Sequence, residues 1–140
     1  MEENSLAQKL GAEVFGTAVL VFLGAGSVPA LFLARGGKGG APFTGAELFA
    51  ISTAFGLAVV AMVYSIGKIS GCHINPAVTI SMAITKRMPW ATAVPYVIAQ
   101  CVGGTLGGLA IRGVVAVLPA GQNINHVGWM RVHLLFNSRR

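Results

Sequence analysis

Three stretches of this chain stay apolar long enough to cross a bilayer, and the charges fall between them. Leu10 to Ala34 carries one charged residue, Glu13, while Leu48 to Gly67 and Met88 to Ile111 carry none. About 20 apolar residues make a spanning helix, so the pattern predicts three, over roughly 10–34, 48–67 and 89–111. A fourth uncharged run, Ala77 to Ile84, lies between Lys68 and the pair Lys86-Arg87. Asn75 is a good N-cap before it, and Pro76 suits a first helical position because its missing N–H has no partner there. A helix over 76–84 is roughly 13 Å long at ~1.5 Å per residue, under half of a ~30 Å hydrocarbon core. Basic residues on both flanks predict a re-entrant half-helix that enters and leaves on one side. Its buried N-terminus has to face something that uses it.

Finer periodicities predict how the spans pack. Ala46, Ala50, Ala54 and Ala58 recur every fourth residue and offer one smooth helix face. Gly103 with Gly107, and Gly104 with Gly108, form two small-xxx-small pairs that predict a tight crossing. Gln100 is the strongly polar side chain in the middle of the third span and needs a partner inside the protein. Pro29 falls near the far end of the first span, where a membrane helix tolerates it. Gly26-Ser27-Val28-Pro29-Ala30 contains small residues that a signal peptidase could use. The acidic start and long apolar run favour a retained span. Arg35 to Pro42 is a Gly-rich polar connection. Beyond Ile111 the pattern loosens: Arg112 interrupts it, and 119–140 is expected to be a loop and a short basic tail that cannot span.

Composition agrees with the membrane reading. Of 140 residues, 54% are hydrophobic, 10% are charged and 19 are glycine. The expected fold class is therefore an all-α membrane protein, with the lipid bilayer as its surroundings. The net charge of +6 does not indicate nucleic acid, because the basic residues are scattered and lack aromatic interleaving or a recognised motif. Cys72 and Cys101 have neither metal-ligand nor disulfide-framework spacing and are expected to be small buried hydrophobes. His73 has no second ligand nearby, so a loop-bracing side chain is expected rather than a metal site. With no paired carboxylate, nucleophile–base pair or phosphate loop, no enzyme activity and no cofactor are expected.

The decamer Ser70-Gly71-Cys72-His73-Ile74-Asn75-Pro76-Ala77-Val78-Thr79 resembles the first Asn-Pro-Ala signature of the aquaporin and glycerol-facilitator (major intrinsic protein) family. Ala12 to Thr17 resembles the start of that family's first helix, Ala54 to Leu57 its second helix and Tyr96 to Cys101 its third. The resemblance covers roughly 6–118 and implies one repeat of an inverted-repeat channel fold: three spanning helices plus one re-entrant half-helix. It further implies that Asn75, Pro76 and Ala77 form a pore signature in which Asn75 donates to a single file of water or small polyol. The backbone carbonyls of Gly71, Cys72 and His73 would form a ladder of acceptors, and the positive helix end would disfavour cations and protons. Phe55 stands where the family places an aromatic in its outer constriction, which leans toward water over glycerol; an ordinary packed Phe is the alternative. Glu13 either snorkels to water or, as the resemblance implies, accepts hydrogen bonds from the re-entrant loop, with Gln100 acting similarly. A homotetramer is implied by resemblance only.

No second Asn-Pro-Ala occurs in these 140 residues. The chain is thus expected to be the N-terminal half of such a channel, from a truncated or frameshifted gene, and incomplete without a second half. The alternative is a non-conducting truncated fragment that assembles with or interferes with full-length channels. With a cytoplasmic N-terminus, the cations through residue 111 number four inside (Lys9, Lys68, Lys86, Arg87) against two outside (Arg35, Lys38). That fits a multi-pass protein of the cell membrane with its N-terminus inside. Arg112, Arg131, Arg139 and Arg140 reverse the balance to four against six.

Overall fold

Ser5 and Thr44 start the first two long helices by the same device. In the computed structural model, which describes residues 4–35 and 42–117, the Ser5 hydroxyl accepts from Gln8 N–H and the Gln8 side chain accepts from Ser5 N–H. Thr44 and Glu47 repeat this reciprocal cap. Helix α1 therefore runs Leu6–Leu20 and helix α3 Gly45–Ser70, each starting ahead of its apolar run because the capping residues sit in the polar flank. Between them α2 runs Ser27–Ala34, joined to α1 by a π-turn over Val21–Ala25. Gly26 N–H reaches five residues back to Val21 O at 3.2 Å. Such a turn re-phases the helix just ahead of Pro29, which has no N–H to continue the ladder.

The half-helix α4 runs Pro76–Ile84 and the last helix α5 runs Trp90–Ala116. Three helical stretches, Leu6–Ala34, Gly45–Ser70 and Trp90–Ala116, are long and apolar enough to cross a membrane, and all regular structure among the described residues is helical. The exposed Phe49, Leu57, Tyr64 and Ile98 suit hydrocarbon rather than water. This is a multi-pass membrane protein. Arg112 does not end α5: it is exposed, so its long side chain leaves the bundle and the backbone continues helical. The 36–41 stretch and the 118–140 tail, with Lys38, Arg131, Arg139 and Arg140, lie outside the described residues.

Helix α1 packs most extensively on α5 and next on α3. A Cβ on Gly103 would lie 2.3 Å from Val14 O, and one on Gly107 2.5 Å from Ala18 O. The two backbones cross at these glycines. The overlapping pair does not contribute: Gly104 has nothing nearer than 3.9 Å and Gly108 nothing within 4 Å. The alanine face of α3 is likewise used only at its far end. Ala58 is buried, Ala54 half-buried, and Ala46 and Ala50 are exposed, because the core of Ala12, Met62, Ile66, Cys72 and Ile74 gathers where α3 approaches the re-entrant loop. Cys101 also departs from expectation. It is exposed, since Gln100 takes the inward direction on α5 and the next residue turns away by about 100°.

At the other end, Arg35 grips both Glu47 carboxylate oxygens and lies 5.2 Å from the Phe43 ring centroid. Its hydrogen bond with Glu47 pushes the guanidinium above its ordinary pKa. The pair closes the connection between the first and second spans.

Gly103→Ala is expected to cost about 2 kcal/mol through overpacking. Gly108→Ala should be neutral or stabilising by up to about 1 kcal/mol, from helix propensity alone. Thermal unfolding followed by circular dichroism in detergent separates the two, and equal midpoints would refute the assigned crossing.

Candidate functional site

Gly71 ends α3 in the left-handed region at φ 84°, its N–H donating to Gly67 O at 3.0 Å. The chain then stays unusual: Cys72 and Ile74 also have positive φ, at 53° and 41°. A β-branched residue there is a true outlier, and such conformations cost on the order of 1–3 kcal/mol each. Their effect is to turn successive backbone N–H groups inward. Cys72 N–H donates to Ser70 Oγ at 3.1 Å, His73 N–H to Glu13 Oε1 at 2.9 Å, and Ile74 N–H to Glu13 Oε2 at 2.7 Å. Successive amides converging on one anion make a nest.

Glu13 is fully buried and does not reach toward water. Ser70 Oγ donates to its Oε1 at 2.6 Å and Gln100 Nε2 to its Oε2 at 2.8 Å, completing four donors around the carboxylate. The second Gln100 N–H donates to Thr79 Oγ1 at 2.8 Å. Gln100 Oε1 is left without a partner among the described residues, as is Thr17 Oγ1. Flipping the amide would not help, because it would turn that oxygen onto the carboxylate. Thr79 Oγ1, already an acceptor, lies 3.0 Å from His73 Nδ1. The Thr79 hydroxyl thus joins Gln100 to His73, and the direction of the contact with Nδ1 follows the His73 tautomer. Tyr96 fixes the remaining corner: its hydroxyl donates to Ser70 O at 2.9 Å and its ring meets His73 edge-on, centroids 5.5 Å apart.

The half-helix is closed at both ends. Asn75 Oδ1 accepts from Ala77 N–H at 2.8 Å, with Pro76 as the first helical residue. At the other end Lys86 adopts φ 59°, Arg87 N–H donates to Met82 O at 2.9 Å and Lys86 N–H to Ala83 O at 3.1 Å, a Schellman closure. What this leaves open defines the candidate site. Among the described residues, nothing donates to the carbonyls of Gly71, Cys72 and His73, and Asn75 Nδ2 donates to nothing. Asn75 and Ala77 are exposed and Pro76 half-buried, whereas Cys72 and His73 are buried.

Phe55 lies on a different part of the bundle. Its ring covers Gly24 in the π-turn, where an added Cβ would fall 2.5 Å from Cδ1, yet 38% of the residue remains exposed. It is both packed and presented. No group of His, Cys, Asp or Glu among the described residues could hold a metal ion. Sequence reasoning assigned roles to Glu13, Gln100 and His73; Ser70, Thr79 and Tyr96 stood in its motifs without a role, and Gly24 did not stand out. Two signals were available: Tyr96 precedes Gln100 by one helical turn, and Thr79 ends the motif as a lone hydroxyl on the half-helix's inward face.

Residues 1–134 match the family model described as Major intrinsic protein, a longer stretch than the 6–118 over which the motifs show the resemblance. The chain is 46% identical over 112 residues to Aquaporin AqpM of Methanothermobacter marburgensis, covering 74% of this chain and 46% of that protein. It is 42% identical over 133 residues to Probable aquaporin AqpM of Archaeoglobus fulgidus, covering 89% and 53%. To Aquaporin Z of Bradyrhizobium diazoefficiens it is 49% identical over 96 residues, covering 69% and 37%. The chain thus spans about half the length of the curated relatives it matches.

Glu13→Gln replaces one acceptor oxygen with a donor that must face other donors. It is expected to cost about 3 kcal/mol, lowering the thermal midpoint in detergent and speeding amide exchange at His73 and Ile74. An unchanged midpoint would show that the carboxylate does not hold the loop.

Proposed function

This chain belongs to the major intrinsic protein family, and we propose that its described residues form one wall of a membrane channel for water or another small neutral solute. The observation that carries this reading is the set of unused groups along the re-entrant loop. Three consecutive carbonyls accept nothing from the described residues, next to an exposed Asn75 amide that donates to none of them. Acceptors in a row followed by a donor suit a permeant that both donates and accepts. Each molecule in a single file can exchange one hydrogen bond for the next without a large dehydration cost. A cation gains no such exchange at the Asn75 end, where the N-terminus of α4 presents the positive end of its dipole. Proton exclusion follows from the same field and from the fixed donor, which turns the water beside it.

In this proposal Glu13 and Gln100 support the loop and do not touch the permeant. Phe55, seated on Gly24, narrows the outer constriction and favours water over glycerol. The channel sits in the cell membrane with a cytoplasmic N-terminus, as a homotetramer of complete pores. A second re-entrant half supplies the facing wall.

Stopped-flow light scattering tests this with proteoliposomes holding this chain and the remaining half of the Methanothermobacter marburgensis relative. Osmotic shrinkage several-fold faster than with either half alone is expected. Asn75→Asp should slow it or admit cations, and Phe55→Ala should raise glycerol entry relative to water. Gly24→Ala, which displaces the Phe55 ring, should act in the same direction as Phe55→Ala. Rates no faster than with either half alone would reject the proposal and favour a non-conducting membrane fragment.

A further inference from the structure

Where α1 begins, α3 ends and α5 begins, the bundle leaves an open recess of about 1270 Å³. Lys9, Lys68 and Arg87 line it from three different elements, together with Asn4, Thr92 and Tyr96. No carboxylate among the described residues lines it. Of the described carboxylates, Glu13 is closed by four donors and Glu47 is paired with Arg35. None of the three cations has an ion-pair partner among the described residues.

The backbone beneath each cation is fixed. Asn4 Nδ2 donates to Lys68 O at 3.0 Å, tying the start of the chain to the last turn of α3. Lys9 is half-buried within the second turn of α1, and Arg87 is held by its N–H bond to Met82 O at 2.9 Å. Three like charges around one concavity repel each other, so an anion there is attracted by all three and relieves that repulsion. The preset backbone lowers the ordering cost of binding it. The recess also lies at a definite depth. The exposed Trp90 opens α5 directly after the lining residues Met88 and Pro89, and Trp at a helix end marks the headgroup level.

We propose that this recess binds an anionic phosphate group, carried by an acidic phospholipid headgroup or by a soluble phosphate ester, with Lys9, Lys68 and Arg87 as its ligands. The recess adjoins the channel loop at Ser70 and Gly71, but its three cations have no part in the channel reading, and neither Asn75 nor Phe55 lines it.

The test is thermal unfolding of the full chain in non-ionic detergent, titrated separately with phosphatidylglycerol, glycerol 3-phosphate and zwitterionic phosphatidylcholine. An upward shift of the midpoint with phosphatidylglycerol is expected. In the triple variant Lys9→Gln/Lys68→Gln/Arg87→Gln the apparent affinity should fall at least about tenfold. Lys86→Gln, a neighbouring exposed cation outside the recess, should keep the wild-type shift. A shift with phosphatidylglycerol alone assigns the lipid as source, and a matching shift with glycerol 3-phosphate assigns the soluble ester. The proposal is overturned by no shift with either, by an equal shift with phosphatidylcholine, or by equal affinity in the triple variant. Loss of the shift in Lys86→Gln also overturns it, since general surface charge would then be the cause. Circular dichroism of the triple variant at low temperature checks that it remains helical.

Discussion

The fold depends on one buried carboxylate. An ionised Glu13 within a bilayer would cost several kcal/mol even after relaxation, and so would the unpaired N–H groups of a non-helical loop at that depth. Each offsets the other. The donors from Ser70, His73, Ile74 and Gln100 saturate the carboxylate, and the carboxylate leaves the loop amides of His73 and Ile74 without unmet need. The mutual requirement also explains why Cys72 and Ile74 hold left-handed conformations that their side chains oppose. The strain is over-determined by four hydrogen bonds to a group that has nowhere else to go.

That arrangement needs α1 and α5 close together, and the glycines at 103 and 107 supply the approach. Gln100 lies one turn before Gly103, so the backbone contact with Val14 O sets how far the amide is from Glu13. The same closeness fixes the amide's orientation. Both N–H groups are committed, to Glu13 and Thr79, and the carbonyl oxygen is left buried and without a partner among the described residues. Polar complementarity at the carboxylate outweighs one unsatisfied acceptor, which is the cheaper of the two to leave.

The apolar pattern made the three long helices and the half-helix legible, because run length against bilayer thickness leaves few alternatives. Asn75 and Pro76 were legible as a cap for equally local reasons. Small-residue spacing was less informative. It could not separate Gly103 and Gly107 from Gly104 and Gly108, or the buried Ala58 from the exposed Ala46 and Ala50. Every fourth residue shares a face, but which face meets a neighbour is decided by the crossing of whole helices. The π-turn before Pro29 and the seating of Phe55 on Gly24 were illegible for the same reason: both depend on how α1 and α3 meet. The roles of Ser70, Thr79 and Tyr96 were not legible, because a hydroxyl in an apolar run carries no sign of whether it is shared.

The partners of Glu13 also impose an order of events during biogenesis. Its bonds reach 57, 60, 61 and 87 residues along the chain, the last to Gln100. When the first span leaves the ribosome, none of these donors has been made. A helix carrying one carboxylate can insert alone, but the loop from Gly71 to Asn75 has no dry resting state until the third span arrives. The loop therefore cannot complete the hydrogen-bond set around Glu13 until the third span, which carries Gln100, has been made. Long-range closure of this kind is slow, and the interval before it is when membrane quality control has most to recognise.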